Sequence, residues 1–259
     1  ILFPFVTLGS LINFCDCLMS GGTSRKDHSE VGSSYIHFNY TPNQDKATPS
    51  LIGDVPGGVM LNKRPVFLGG QSGLVGPCVL AFGTVTAAGS ICRKDELREN
   101  RLIATGYQRN VNIPYFPSAF SSIRRIHNNN ILFLGNLLAL NHWYKHARAL
   151  FVSTEFPMEL LQGLKENVVL AIEERIKRLR SFYKNLDFES EQQGSRTSAI
   201  FEFVESVKTL WPELEQFFRS MIEEDFYSEQ REVFLELLSN RIRTEGNDYI
   251  SVIKSLPAE

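Results

Sequence analysis

Between residues 67 and 95 the apolar positions of the chain recur every six residues. One position of the repeat holds Leu68, Leu74, Leu80 and Thr86, and a second, four residues later each time, holds Ser72, Cys78, Thr84 and Ser90. An amphipathic helix would repeat its apolar positions about every 3.6 residues and a half-buried strand about every two. A six-residue period is instead typical of a parallel β-helix, in which three short strands and three turns form each coil. We therefore predict a β-helix, with the bulky residue pointing inward and the small one at a corner.

The residues before this run repeat the pattern less regularly. Val6, Ile12 and Leu18 also lie six apart, and Ile52-Gly53-Asp54 resumes the period. Between these two stretches, residues 21–50 are rich in Gly, Ser, Asn and Pro, and a shorter interruption covers residues 57–66. Long polar excursions from a compact repeat usually carry function, so we expect functional residues in the first one.

From residue 127 the apolar spacing becomes helical. We predict a helix that is capped by Asn129 or Asn130 and runs to about Phe151, and a second over 158–186 after Pro157. A third is expected to end near Trp211-Pro212, followed by shorter helices at 213–224, 228–243 and 247–255. The predicted fold class is thus β + α: a parallel β-helix over 1–105, a connector over 106–126 and an all-α domain over 127–259.

Composition narrows the function classes. The 259 residues carry a net charge of −2, which gives no reason to expect a nucleic-acid or membrane partner. The apolar start lacks a basic segment and is broken by Gly and Pro before it could span a bilayer. It looks like the interior of a longer protein, and we expect an upstream part.

The four cysteines include no C-x-x-C pair, and Cys78 lies on the small-residue position of the repeat, where a thiol serves as a small apolar side chain. This usage predicts a reducing, cytoplasmic setting. A metal pair at Cys15 and Cys17 is conceivable, but no further ligands follow at zinc spacing, so we predict no metal site.

The excursion and the repeats together carry a specific order of motifs. These are His28, Asn39-Tyr40, Lys46 with Thr48, Ile52-Gly53-Asp54, LGGQSGLVGPCV over 68–79, and Ala87-Ala88-Gly89-Ser90. In this order they resemble the left-handed β-helix acetyltransferase domain of the bifunctional N-acetylglucosamine-1-phosphate uridylyltransferase/glucosamine-1-phosphate acetyltransferase family. The resemblance covers about residues 4 to 105 and supplies the left-handedness, which the repeat itself does not.

The resemblance implies a role for each matched residue. His28 matches the family's general base, and Lys46, with Tyr40, matches groups that contact the sugar-phosphate acceptor. The positions expected along acetyl-coenzyme A are Asn39, Tyr40, Gly70, Ala88 and Arg109. Family members are trimers with active sites between neighbouring solenoids, so a homotrimer is implied; Mg²⁺ is implied only for an upstream nucleotidyltransferase domain.

Simpler interpretations remain open for the same residues. His28 stands in a polar segment and would otherwise be a solvated histidine, Asn39-Tyr40 would be a turn, and Lys46 a surface lysine. His142 and His146 lie four apart on a predicted helix, but no acidic residue completes a metal site, so packing or surface roles are favoured.

Two functions from different classes follow. The first is acetyl transfer from acetyl-coenzyme A to the amine of an amino-sugar phosphate such as glucosamine 1-phosphate, within a protein that forms sugar nucleotides. The second is a non-catalytic β-helix that trimerises and regulates an upstream nucleotidyltransferase. Departures from the family pattern favour the second: Val31 replaces a tyrosine, Gly70 replaces a serine, and the arginine position falls near Gly106. Acyl transfer to a different sugar is a third possibility.

Overall fold

The computed structural model describes residues 1–36, 48–105, 123–186, 198–224 and 228–257. Within these ranges the protein combines parallel sheets with helices, as the predicted class requires. We call residues 1–105 the strand half and residues 123–257 the helical half. The strands of the strand half are β1 (Val6–Leu8), β2 (Asn13–Phe14), β3 (Cys17–Met19), β4 (Gly22–Ser24), β5 (Asp27–Val31), β6 (Ser34–Ile36), β7 (Ser50–Ile52), β8 (Phe67–Leu68), β9 (Ser72–Leu74), β10 (Val79–Leu80), β11 (Val85–Thr86), β12 (Ile91–Cys92) and β13 (Leu102–Ile103).

Apart from β4, which pairs with β5 in the antiparallel direction, these strands form three parallel sheets that the chain visits in a fixed order. The first sheet has the order β1-β5-β8-β11-β13, the second β2-β6-β9-β12 and the third β3-β7-β10. Apart from β4, successive strands from β1 to β12 pass from the first sheet to the second, then to the third, and back to the first. We call one such pass a circuit. Glu96 bridges to Leu80 and so extends the third sheet by one more circuit.

The six-residue pattern correctly identifies the side chains that point inward. Leu68, Leu74 and Leu80 lie on β8, β9 and β10, one in each sheet, and are at most 2% exposed. All three belong to one hydrophobic cluster with Val31 and Ile52 of the preceding circuit. The residues predicted at corners are also buried: Ser72, Cys78, Thr84 and Ser90. Their size matters because each corner brings adjacent circuits into hydrogen-bonding contact, as between Gly73 N and Ser90 O at 3.0 Å.

The third sheet is buried on both faces, because the helical half packs against the face that points away from the interior of the strand half. On β3 and β7, Met19 and Ile52 point into the strand-half cluster, whereas Leu18 and Leu51 belong to a second cluster with Leu137 and other helical residues. A strand that is buried on both faces lacks the alternation of apolar and polar residues that marks a half-exposed one.

The helices are α1 (Val55–Met60), α2 (Ile123–His142), α3 (Met158–Lys184), α4 (Ser198–Glu223), α5 (Glu229–Glu245) and α6 (Tyr249–Ser255). A π-helical turn (Trp143–Ala147) and a 3₁₀ turn (Arg148–Phe151) continue α2. The prediction of α3 after Pro157 is confirmed, as are the two C-terminal helices to within two residues. The short α1 begins just before the second polar interruption and runs into it, where no helix is predicted.

Two predicted helix boundaries are wrong. The first helix begins by Ile123, inside the predicted connector, and Asn129 and Asn130 are buried in its interior. The third does not end at Trp211-Pro212, because α4 contains Pro212. The apolar stripe of α4 continues at helical spacing through the proline, and its packing holds the helix together there. The stripe consists of Val204, Val207, Trp211, Leu214, Phe218 and Met221.

Polar contacts fasten the helical half to the strand half. The Val55 amide donates to Asn136 Oδ1 at 2.8 Å, and Asn129 Nδ2 donates to Asp95 Oδ1 at 2.9 Å. Asp16 forms an ion pair with Arg175, whose side chain is only 2% exposed, at 2.7 Å. None of the helices that the structure describes has the length and apolar content needed to cross a membrane.

Candidate functional site

His28 lies on a β-hairpin formed by β4 and β5. Its partner across the hairpin is Gly22, where a Cβ atom would lie 2.9 Å from the Cα of His28, so the two strands approach too closely for any larger residue. Gly22 also has φ 95°, which favours glycine. The hairpin turn is closed by the Ser24 hydroxyl, which accepts from the Asp27 amide at 3.1 Å. Local sequence thus fixes the backbone that carries the histidine.

The imidazole of His28 is oriented by its own hairpin. Nδ1 lies 3.0 Å from the carbonyl oxygen of Arg25. Because a carbonyl oxygen only accepts hydrogen bonds, Nδ1 carries the hydrogen. The neutral ring then presents a lone pair at Nε2, the tautomer that a general base requires. The side chain is partly exposed, so a substrate could reach Nε2.

Gly70 and Ala88 lie next to each other at the corner that leads from the first sheet to the second. The Gly89 amide donates to the Gly70 carbonyl at 2.9 Å, which joins the two circuits there. A Cβ atom on Gly70 would meet its nearest neighbour, Ser33 N, only at 4.0 Å, so the outer side of this corner is open. Directly beside it, a Cβ on Gly69 would lie 2.5 Å from the Thr86 carbonyl oxygen. We call this corner the small-residue edge.

Within one chain His28 and the small-residue edge are apart. Strand β5 pairs with β8 in the register Glu30↔Phe67 and Val31↔Leu68. The small-residue edge comes just after Leu68, so it lies beside the end of β5 that carries Val31. His28 lies at the opposite end of β5, about 13 Å from the corner at the usual rise per residue of a strand. Val31, which the resemblance sets against a tyrosine, is fully buried in the strand half. The remaining predicted site residues, Asn39, Tyr40, Lys46 and Arg109, lie outside the described residues.

A second candidate site, which the sequence analysis did not identify, is a cavity of about 760 Å³ between the two halves. Its walls come from four separate stretches: residues 2–4, α1 with Leu61, residues 140–164, and residues 247–250. The aromatic residues of its lining are Phe3, Trp143, Tyr144, Phe151, Phe156 and Tyr249. We call it the aromatic cavity. The density of aromatic residues over 143–156 is the sequence signal for it, but the contribution of α6 is not readable from the sequence.

Arg148 is held in the aromatic cavity by two rings. Its guanidinium carbon lies 3.7 Å from the centroid of Phe156 and 3.9 Å from that of Tyr249. Such cation–π contacts place the rings over the flat faces of the guanidinium group. Burial lowers the pKa of Arg148 from its ordinary value, although the group stays charged at neutral pH. The cavity therefore contains a fixed positive charge.

The cavity wall also contains a π-helical turn. Trp143 and Tyr144 lie on it, and the Trp143 indole Nε1 donates to the Tyr249 hydroxyl at 3.1 Å, which ties α6 to the end of α2. Burial raises the pKa of Tyr249 to about 12 and raises that of Tyr144 as well. Both phenols are therefore neutral hydrogen-bonding groups at physiological pH. π-helical turns are rare and are frequent at functional sites.

The cysteine and histidine pairs from the sequence analysis find other contacts. Between Cys15 and Cys17, Asp16 is the partner of Arg175, and all four cysteines are free thiols. The rings of His142 and His146 stack at 5.9 Å. Among the residues that the structure describes, no three His, Cys, Asp or Glu side chains are grouped so that they could hold a metal ion.

Comparison of the chain with protein-family models, with curated proteins and with solved structures found no match.

Proposed function

We propose that residues 1–105 form a left-handed β-helix of hexapeptide repeats that transfers an acetyl group from acetyl-coenzyme A to the amine of an amino-sugar phosphate. The observation that carries the proposal is the cyclic order of three parallel sheets with one inward bulky residue on each. The motif order from His28 to Ala88 supplies the acyltransferase assignment and the handedness. Four free cysteines are compatible with the reducing, cytoplasmic setting that the composition predicts.

The chemistry of the transfer suits a histidine base. The amine nitrogen attacks the thioester carbonyl carbon, the carbon–sulfur bond breaks, and coenzyme A leaves as the thiol. The amine proton must be removed for this to proceed, and the lone pair on Nε2 of His28 can take it and return it to the leaving sulfur. Because the Arg25 carbonyl holds Nδ1–H, the base nitrogen is fixed in its reactive tautomer.

The small-residue edge suits the coenzyme. An extended pantetheine arm carries amide groups that pair best with an exposed backbone, and Gly70 and Ala88 present a surface with little side chain above it. We assign Asn39 and Tyr40 to the thioester end of the coenzyme, Arg109 to its phosphates, and Lys46 with Tyr40 to the acceptor. These four positions enter through the family resemblance alone.

A homotrimer accounts for the distance between His28 and the small-residue edge. In one chain, His28 lies near the start of β5, whereas the small-residue edge lies beyond the other end of the paired strands β5 and β8. A neighbouring copy could set its own small-residue edge beside this chain's His28, which would complete one site at each subunit boundary. Acetyl transfer would then require the assembled form.

The test is a thiol-release assay with acetyl-coenzyme A and glucosamine 1-phosphate, extended to other amino-sugar phosphates. His28→Ala should lower kcat by about 100-fold or more, the usual contribution of a general base. Lys26→Ala, an exposed change in the same hairpin, is the matched control and should leave kcat unchanged. Full activity of His28→Ala, or no activity of the unaltered chain with any acceptor, would contradict the proposal.

A non-catalytic role for the same β-helix is the second candidate, and the burial of Val31 favours it. A side chain that is fully buried in the strand half is not available to an acceptor pocket where the family has its tyrosine. Under this alternative the chain trimerises, as light scattering would detect, but calorimetry finds no binding of coenzyme A. Binding of coenzyme A would support the enzyme instead.

A further inference from the structure

The aromatic cavity contains the guanidinium group of Arg148. Aromatic rings cover its two flat faces but leave its edge uncovered. Phe156 and Tyr249 cover the faces of the Arg148 guanidinium. Its five N–H donors lie in the plane of the group and point away from both rings. Within the described residues Arg148 forms no ion pair, and the charge effects on its pKa come from two tyrosines rather than from a carboxylate.

Two acidic residues also line the cavity, and neither neutralises Arg148. Asp248 is the N-cap of α6, where its carboxylate accepts from the Ser251 amide at 2.8 Å. Hydrogen bonds from the Ser251 side chain and from its amide lower the pKa of Asp248. Glu155 is exposed to solvent at the margin. Arg148 already occupies the faces of Phe156 and Tyr249, and its positive charge would repel a cationic ligand, so its in-plane N–H donors select an anion.

The size and lining of the aromatic cavity indicate how large and how apolar the rest of the ligand is. Small-molecule sites usually have volumes of about 300 to 1,000 Å³, with apolar and aromatic walls and a few fixed polar groups. A cavity of about 760 Å³ with six aromatic residues and one arginine matches this description. The arginine would orient the ligand, and the rings would bury its apolar body.

We propose that the aromatic cavity binds a small organic anion, a carboxylate or phosphate ester on a flat apolar body, with Arg148 as its anchor. The anion lies in the plane of the guanidinium and accepts two N–H hydrogen bonds. The apolar body extends toward Trp143 and Tyr144. This site is separate from His28 and from the small-residue edge, and it does not depend on acetyl transfer.

Three related compounds test the proposal on the unaltered chain. Naphthyl phosphate, naphthoate and the neutral naphthol share a ring system, and calorimetry gives their affinities. Both anions should bind about tenfold or more tightly than naphthol, the usual effect of hydrogen bonds to a charged group. The ratio of the two anions distinguishes a phosphate site from a carboxylate site. Equal affinity of naphthol and the anions would overturn the proposal.

The two tryptophans locate the bound anion. Trp143 lines the cavity, whereas Trp211 lies in the helical core against Tyr183, so NMR of the two indole N–H signals separates them. Assignment follows from Trp211→Phe. Each anion should shift the Trp143 signal, whose N–H is bonded to Tyr249, and leave that of Trp211 in place. A shift of neither signal, or of Trp211 alone, would refute binding in this cavity.

Arg148→Gln should weaken the binding of both anions about tenfold or more and leave naphthol binding unchanged. The matched control is Arg124→Gln, which removes another arginine from an aromatic ring, Phe203, outside the cavity. It should leave all three affinities unchanged. Arg148→Lys keeps the charge but loses the bidentate geometry, so its affinities should fall between those of the parent chain and Arg148→Gln. Unchanged anion binding in Arg148→Gln would overturn the assignment.

Discussion

The two halves of the protein are held together in different ways. In the strand half, the backbone of each circuit is hydrogen-bonded to the next, as in Gly69 N to Thr86 O at 3.0 Å and Val75 N to Cys92 O at 2.9 Å. Among the described residues of the helical half, no backbone hydrogen bond joins one helix to another, and the helices contact each other through their side chains. The strand half therefore has a fixed spacing, whereas helices can shift a little to accommodate a changed side chain.

The largest expected change in the free energy of unfolding comes from shortening buried leucines in the two halves. Leu74→Ala in the strand half and Leu137→Ala in the helical half each delete a side chain that is at most 2% exposed. Both should lower the free energy of unfolding by about 2–5 kcal/mol. The loss for Leu74→Ala should be at the upper end, because the hydrogen-bonded circuits around it cannot collapse into the space that the deleted side chain leaves. Urea denaturation measures both, with Leu102→Ala, which is 71% exposed, as control. A larger loss for Leu137→Ala would contradict the comparison.

The next prediction concerns the ion pair that joins the halves. Asp16→Ala leaves the buried guanidinium of Arg175 without its carboxylate and should cost about 2–4 kcal/mol. Desolvation lowers the pKa of Arg175, whereas Asp16 raises it, so the loss of Asp16 removes the main compensation for burial. Adding Arg175→Met to Asp16→Ala should restore most of the stability.

Two results would refute that account. The first is a double variant no more stable than Asp16→Ala. The second is a loss for Asp16→Ala no larger than for Glu174→Ala, which removes an exposed partner of Arg178.

Sequence periodicity was informative where structure repeats. Each circuit repeats the structure of the previous one. Leu68, Leu74 and Leu80 could therefore be assigned to an inward position without knowledge of any long-range contact. The candidate base His28 could be named from motif order, but its tautomer depends on a carbonyl of its own hairpin turn. Its distance from Gly70 depends on the register of β5 and β8, which no short motif contains.

Sequence reasoning failed where a residue serves a distant contact. Asn129 resembles a helix cap, yet its amide bonds to the Pro77 carbonyl and to Asp95 across the junction of the halves. Polar side chains in a helix interior look unfavourable until such partners are known. The aromatic cavity is similar, because Tyr249 reaches Arg148 from about a hundred residues away along the chain.

A smaller effect is expected at adjacent glycines of the strand half. A Cβ on Gly69 would meet backbone of the next circuit at 2.5 Å, whereas a Cβ on Gly70 has open space. Gly69→Ala should therefore lower the free energy of unfolding by about 1–3 kcal/mol, while Gly70→Ala should change it by less than about 0.5 kcal/mol. Chemical denaturation of the two variants provides the measurement. Equal losses would show that the circuits are not closely spaced at this edge.

The most gradual effect, and the smallest over any single pH unit, is the response of the stability of each half to alkaline pH. Burial raises the pKa of Cys78 in the strand half from 9.0 to about 12, and that of Tyr249 in the helical half from 10.0 to about 12. Above its ordinary pKa, each group loses its proton in the unfolded chain and keeps it in the native one. The contribution is therefore complete below that value and is lost as the pH rises toward the native pKa, by at most about 1.4 kcal/mol per pH unit and group.

Denaturation as a function of pH separates the two contributions. Cys78→Ala should flatten the decline in stability from about pH 9 upward, whereas Tyr249→Phe should flatten it only from about pH 10. The thiol acts earlier because its unfolded pKa is lower, although both groups are protected by burial in the native state. If Cys78→Ala declines as steeply as the unaltered chain between these two pH values, burial of that thiol does not make the strand half the more alkali-sensitive of the two.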